Sequence, residues 1–151
     1  MITCTRRLEF DAAHRLVNHE GKCKMLHGHR YVVEASFVVK NSNQNQSIQG
    51  FNLDEVGRVV DFGLVKEILG SWIDENLDHN TILNIADEEL GRRVAAITGQ
   101  KIYYLNCNPT AENIAAHLLE EICPRLFAGQ AFRCCAIKIF ETPNCSAEIR
   151  E

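Results

Sequence analysis

A change of period along the chain restricts its fold more than any other feature: residues alternate by two at both ends and follow helical spacing between. In "ITCTRRLEFDAAH" (2–14), Ile2, Cys4, Leu8, Phe10 and Ala12 share one parity, and Thr3, Thr5, Arg7, Glu9 and Asp11 share the other. That is the pattern of a half-buried strand. "RYVVEASFVVK" (30–40) is rich in β-branched and aromatic residues, with Tyr31, Val33, Ala35, Phe37 and Val39 on one face, and predicts a second strand. "NSNQNQSIQG" (41–50) is polar without apolar periodicity and reads as a mobile surface loop.

Helical spacing begins after "RVVD". Phe62, Val65, Ile68, Leu69, Trp72 and Ile73 fall on one face, with Asp61 placed as N-cap. The segment 86–98 carries a weaker helical pattern. "NPTAENIAAHLLEEICPRLF" predicts a second main helix, capped by Thr110, with Ile114, Ala115, Leu118, Leu119 and Ile122 on its apolar face and Pro124 as its stop. Two strands follow, "FRCCAIKIFET" (132–142) and "CSAEIR" (145–150), joined by the turn residues Pro143 and Asn144. The resulting ββααββ order predicts an α+β fold with one mainly antiparallel four-stranded sheet. A chain of 151 residues suits a single domain over 1–151. An open sheet leaves two edges, and assembly with other copies is one way to protect them.

The net charge of −4 gives no reason to expect nucleic acid, though it leaves room for a local basic pocket. No run approaches the roughly 18 apolar residues of a membrane span, and "MITCTRRLEFDAAH" resembles neither a signal nor a transit peptide. A cytoplasmic protein is expected. Seven cysteines, an odd number, argue against a disulfide framework. Six of them read as small buried hydrophobes.

The seventh, Cys23, stands four residues before His27-Gly28-His29. Two histidines one residue apart project from the same side of an extended chain, and they share parity with the apolar face of the second strand. His14 shares parity with the apolar face of the first. If the strands pair through the 15–26 connection, three imidazoles converge, which is the ligand set of a catalytic zinc with one position open. Gly28 lets another group approach the backbone closely. The bland alternative is a glycine turn with incidental histidines. His19 and His117 are left out of the set. Cys23 is either a fourth ligand that closes the site or, between Lys22 and Lys24 and beside a cation, a base or nucleophile. Structural zinc sites usually carry two thiolates or more, so the second role fits better. In "LDHN", Asp78 adjoins His79, the pattern of a carboxylate that orients an imidazole for acid–base work, although an aspartate after a helix also serves turns.

Taken together, "FDAAHRL", "CKMLHGHRYVV", "VVDFGLVKEIL", "LDHNTI", "PTAENIA" and "IFETPNCSAEI" resemble, in order and over nearly the whole chain, the 6-pyruvoyltetrahydropterin synthase family. The short gap from Cys23 to His27 is most like its bacterial branch, the 6-carboxytetrahydropterin synthases. The resemblance implies the tunnelling fold, in which three four-stranded sheets close into a twelve-stranded barrel and two trimers stack into a homohexamer with sites between subunits. It implies His14, His27 and His29 as ligands of Zn2+, Cys23 as catalytic base, Asp78 and His79 as the pair that assists it, and Glu141 as the anchor of the pterin edge. A carboxylate suits that last role because it accepts two parallel N–H bonds. Thr110 and Glu112 are explained by helix capping and the helix N-terminus. The segments 41–55 and 84–106 are longer than the family pattern.

The implied reaction converts 7,8-dihydroneopterin triphosphate to 6-carboxy-5,6,7,8-tetrahydropterin, acetaldehyde and triphosphate on the route to queuosine. Lys22, Lys24, Arg15 and Arg30 are the nearby cations available to a triphosphate. Elimination of triphosphate without carbon–carbon cleavage, a pterin-binding zinc protein without turnover, and a structural-zinc domain are the competing readings.

Overall fold

The N-terminal alternation becomes β1 (Cys4–His14) in the computed structural model, which describes residues 2–40 and 53–151. β1 pairs antiparallel along its full length with β2 (His27–Val39), from Cys4 opposite Phe37 to His14 opposite His27. β2 starts three residues earlier than the apolar pattern suggested, so both histidines of the His-Gly-His stretch lie within the strand. The polar loop expected at 41–50 lies outside the described residues.

Helix α1 (Phe62–Val65) opens on Asp61, whose Oδ1 accepts from the Gly63 N–H at 2.7 Å. It runs through a π turn (Lys66–Gly70) into α2 (Ser71–Asn76). Next come β3 (Asn80–Asn84), a 3-10 turn (Ile85–Asp87), α3 (Glu88–Thr98) and β4 (Ile102–Leu105). The second main helix begins as α4 (Ala111–His117), capped by Thr110, and passes through another π turn (Leu118–Ile122) into α5 (Cys123–Leu126). Pro124 does not stop it. The proline sits in the first turn of α5, where its missing N–H is tolerated, and the helix continues to Leu126. β5 (Phe132–Thr142) and β6 (Cys145–Arg150) keep the boundaries their alternation predicted.

The sheet order is β4-β3-β1-β2-β5-β6, so among the described residues the sheet has six strands rather than the expected four. β1, β2, β5 and β6 form the antiparallel set. β3 adds parallel to the end of β1 at residues 12–14, and β4 adds parallel to β3. These two strands have four or five residues each, and Thr81, Ile82 and Leu83 are all buried. A short, continuously buried run has no alternation to reveal it.

One sheet face packs on the helices. Phe10, Tyr31, Val33, Ala35, Phe37, Ile137 and Ile139 meet Val65, Leu69, Ile73, Ile114, Leu118 and Ile122 in a common core. Each fully buried Leu or Ile there contributes about 1.5–3 kcal/mol relative to exposure. All seven cysteines are free, but only Cys123 and Cys134 are buried; Cys107 and Cys145 are exposed. The expectation of six buried thiols is therefore corrected: Cys107 lies in the bend that leads to α4, and Cys145 opens β6 at the turn.

Candidate metal and active site

The β1–β2 register sets His14 directly across from His27 and Ala12 across from His29. All three imidazoles therefore share the helix-side face at one end of the sheet. Their nearest ligand atoms lie within 4.8 Å of one another, a cluster that can hold a metal ion. Gly28, between the two β2 histidines, is tight against β1: a Cβ there would stand 3.0 Å from the Ala12 carbonyl oxygen.

Backbone carbonyls fix the ring orientations. The buried His14 uses Nδ1–H to donate to the Pro109 carbonyl at 2.7 Å, and His27 uses Nδ1–H to donate to the Met25 carbonyl at 2.7 Å. A carbonyl only accepts, so in the neutral rings both Nε2 atoms carry bare lone pairs. Those two Nε2 atoms face each other at 3.1 Å. Two nitrogens bound to one tetrahedral ion at 2.0–2.1 Å lie about 3.3 Å apart, so the spacing fits a shared cation. The carbonyls act as the outer contacts that select the ligating tautomer.

Burial favours the neutral form of His14 and His29. Burial holds the His14 pKa down to about 4; the Pro109 hydrogen bond opposes this, while His27 and His29 add to it. Burial lowers His29 as well, against the pull of the Glu141 carboxylate.

Glu141 reaches this neighbourhood through a bulge. The β5–β6 register shifts between Phe140 and Thr142, leaving Glu141 as the extra residue. Bulges of this kind re-aim side chains beside sites. Val32 pairs with Phe140, so the next step along β5 sets Glu141 beside Tyr31. The Tyr31 ring meets His14 and His29 edge-on, with centroids 5.8 and 5.5 Å away. Its hydroxyl is buried without a hydrogen-bond partner among the described residues. Burial pushes its pKa up, and the nearby Glu141 and Cys23 push the same way.

Cys23 is half-buried on a 3-10 turn (Lys22–Lys24) in the connection between β1 and β2. Its carbonyl accepts from the Leu16 N–H at 2.9 Å. The cluster of ligand atoms comprises the three histidines and does not include this thiol.

Asp78 and His79 follow α2. Asp78 accepts from the His79 Nδ1–H at 2.7 Å and, through its other oxygen, from the Asp11 N–H at 2.9 Å. Burial disfavours the Asp78 charge, but the hydrogen bonds from Asp11 and His79 outweigh it and hold its pKa below the usual carboxylate range. The bond to Asp78, then its charge, raises His79 above the ordinary imidazole value. His79 has φ 54°, the left-handed region that non-glycine residues rarely occupy. The His79 ring is well exposed, in a groove lined by Asp11, Gly28, His29, Arg30 and Gln100. Among the described residues, no hydrogen bond or ion pair joins this pair to Cys23 within one chain.

Two of the four candidate cations are already engaged: Arg15 meets Asp87 at 3.0 Å, and Arg30 forks across Glu9 and Asp11. His117 accepts from or donates to the Tyr103 hydroxyl at 2.7 Å, and His19 Nδ1 accepts from the Gly21 N–H. Sequence reasoning missed the carbonyls of Pro109 and Met25, since main-chain acceptors leave no residue signature. It also missed Asn108, whose place just before "PT" was the one available signal.

The chain matches the family model described as 6-pyruvoyl tetrahydropterin synthase over residues 3–151. It is 53% identical over 149 residues to a Rickettsia bellii protein named 6-carboxy-5,6,7,8-tetrahydropterin synthase, covering 99% of this chain and 100% of that one. A protein of the same name from Rickettsia felis is 50% identical with the same coverage. Among solved structures, an uncharacterised Wolinella succinogenes protein superposes with a TM-score of 0.71 at 20% identity, covering 99% of this chain and 98% of that one. The Caenorhabditis elegans 6-pyruvoyl tetrahydropterin synthase gives 0.65 at 22% identity, covering 99% and 95%. At those identities the two structures speak for the fold.

Proposed function

Because the chain belongs to the 6-pyruvoyl tetrahydropterin synthase family, we propose that it is a 6-carboxy-5,6,7,8-tetrahydropterin synthase, a carbon–carbon lyase. Its substrate is 7,8-dihydroneopterin triphosphate, which with water gives 6-carboxy-5,6,7,8-tetrahydropterin, acetaldehyde and triphosphate, a step of queuosine biosynthesis. The observation that carries this reading is the histidine cluster, in which His14 and His27 turn bare Nε2 atoms toward a common point.

His14, His27 and His29 hold Zn2+, which supplies Lewis-acid polarisation of the substrate's side-chain oxygens when bound. Glu141 accepts paired N–H bonds from the pterin edge and so fixes the ring at the bulge end of β5. Cys23 removes a proton from the substrate side chain. His79, held and oriented by Asp78, passes protons in and out. Since Arg15 and Arg30 are paired, Lys22 and Lys24 are the cations left to meet the triphosphate.

In one chain Cys23 and the Asp78–His79 pair are not joined, and an assembly that builds the site between subunits meets that requirement. Among the described residues β1 pairs with β3 only at residues 12–14 and Asp11 is held by Asp78 and His79, which leaves the outer edge without a strand partner from Cys4 to Phe10, and β6 ends the sheet on the other side. Closure of three such antiparallel sets into a barrel, with two trimers stacked as a homohexamer, satisfies both edges. No helix among the described residues is long and apolar enough to cross a membrane; the proposed location is the cytoplasm.

The test is to incubate the purified protein with 7,8-dihydroneopterin triphosphate and identify products by mass spectrometry. The 6-carboxy product with acetaldehyde is expected. A 6-pyruvoyl product without acetaldehyde reassigns the reaction, and a retained pterin without turnover makes the protein a binder.

A further inference from the structure

We propose that Asn108 is a positioning residue that sets where Cys23 stands relative to the histidine cluster. The segment 15–26, which carries Cys23, is closed mainly on itself: Leu16 N–H to Cys23 O at 2.9 Å, His19 N–H to Leu16 O at 3.4 Å, and Met25 N–H to Lys22 O at 2.9 Å. Apart from the strands at its two ends and the Met25 carbonyl bonded to His27, two attachments leave it among the described residues. One is the Arg15–Asp87 ion pair at 3.0 Å. The other is Asn108, whose Oδ1 accepts from the Val17 N–H at 2.8 Å while its Nδ2–H donates to the Val17 carbonyl at 2.9 Å.

That side-chain amide therefore pairs with Val17 as a neighbouring strand residue would, satisfying a main-chain donor and acceptor at once. The grip falls one residue from Leu16, which holds the Cys23 carbonyl, and just before Asn18, whose φ of 62° reverses the chain. Asn108 is itself fixed from behind. Its carbonyl accepts from the Thr110 N–H at 2.8 Å and from Asn113 Nδ2 at 2.9 Å, and Asn84 Nδ2–H reaches its Oδ1 at 3.3 Å. The next carbonyl, of Pro109, takes the His14 Nδ1–H at 2.7 Å. One dipeptide thus holds a cluster histidine through its main chain and the Cys23 segment through its side chain. The Asn84 and Asp87 contacts tie the same brace to the β3–α3–β4 unit.

Asn108→Asp keeps the shape and the acceptor but turns a second oxygen toward the Val17 carbonyl, so one of the two bonds becomes a repulsion. Asn108→Ser is the milder companion variant if Asn108→Asp does not fold. Each is compared with the wild-type chain, as purified with its metal, for metal content, iodoacetamide labelling of each thiol by peptide mass spectrometry, and kcat and KM. Exposed Cys145 on β6 serves as the internal reference. With metal content and Cys145 labelling unchanged, the Cys23 labelling rate shifts about fivefold or more and kcat falls about tenfold to a hundredfold with KM nearly constant.

A folded variant with a lower Tm but wild-type Cys23 labelling and kcat overturns the proposal, because Asn108 is then structural only. Metal loss in both variants also overturns it, placing the effect on His14. The kinetic arm rests on the reading of Cys23 as the base; the labelling arm does not. A wild-type chain inert toward the substrate with shifted Cys23 labelling in the variant refutes the reaction and leaves the positioning intact.

Discussion

The Nε2 atoms of His14 and His27 stand 3.1 Å apart while the Nδ1–H groups of both rings donate to carbonyls. Two lone pairs held face to face repel unless a cation lies between them. The fold holds them there through the β1–β2 register and the Pro109 and Met25 carbonyls, so binding energy goes into the ion rather than into arranging ligands. Chelation should lower the Tm of the purified protein, and added Zn2+ should restore it at one ion per chain. A ligand at a hundredfold excess over its Kd contributes about 2.7 kcal/mol. His27→Ala should abolish the restoration, measured by thermal melts with elemental analysis.

The metal-free protein should weaken in mild acid. His14 has a folded pKa of about 4 against an ordinary 6.5. Above about pH 6.5 both states are neutral and the group contributes nothing. Below it the unfolded chain takes up a proton that the folded chain refuses, and stability falls until both are protonated below about pH 4. The loss is on the order of 3 kcal/mol, read from urea melts of the metal-free protein across that window. His14→Asn should flatten this part of the profile.

His79 should titrate above 6.5, because the Asp78 carboxylate holds its proton. The favourable pairing is present below the free imidazole value and is lost as pH rises through the raised folded one. Asp11 and Arg30 are the other charges close by, and they already pair with each other. In an NMR titration, Asp78→Asn should bring the His79 pKa down; an unchanged value would show that the pair does not act together.

Gly91 in α3, the helix of the weaker pattern at 86–98, tests the packing of that helix on β4, a strand that the sequence did not reveal. A Cβ there would run into the Tyr104 hydroxyl and ring edge and come within 3.2 Å of Ile102 Cγ2. Alanine gains up to about 1 kcal/mol in helix propensity, but overpacking against β4 costs about 1–3 kcal/mol. Gly91→Ala should therefore come out destabilising in denaturant melts.

The legible parts of this fold are those where one face is wet and the other dry. β5 and β6 kept their predicted ends because Phe132 to Thr142 and Cys145 to Arg150 are bounded by turn residues. His14, His27 and His29 could be paired from parity alone, since each shares a face with buried neighbours. β3 was missed because Thr81, Ile82 and Leu83 are buried together, as parallel strands often are. The Pro124 stop failed because a π turn just before it changes the bonding, and no residue type announces a π turn. The grip of Asn108 on Val17 joins residues 91 positions apart, a relation that only the folded chain displays.

Cys23→Ala, assayed for bound metal and for turnover of 7,8-dihydroneopterin triphosphate in the same preparation, tests the central claim most directly. The three histidines should keep the ion at wild-type stoichiometry while turnover falls about 10²–10⁴-fold, the cost of a missing acid–base group. Loss of the ion with the thiol would make Cys23 a ligand and contradict the account.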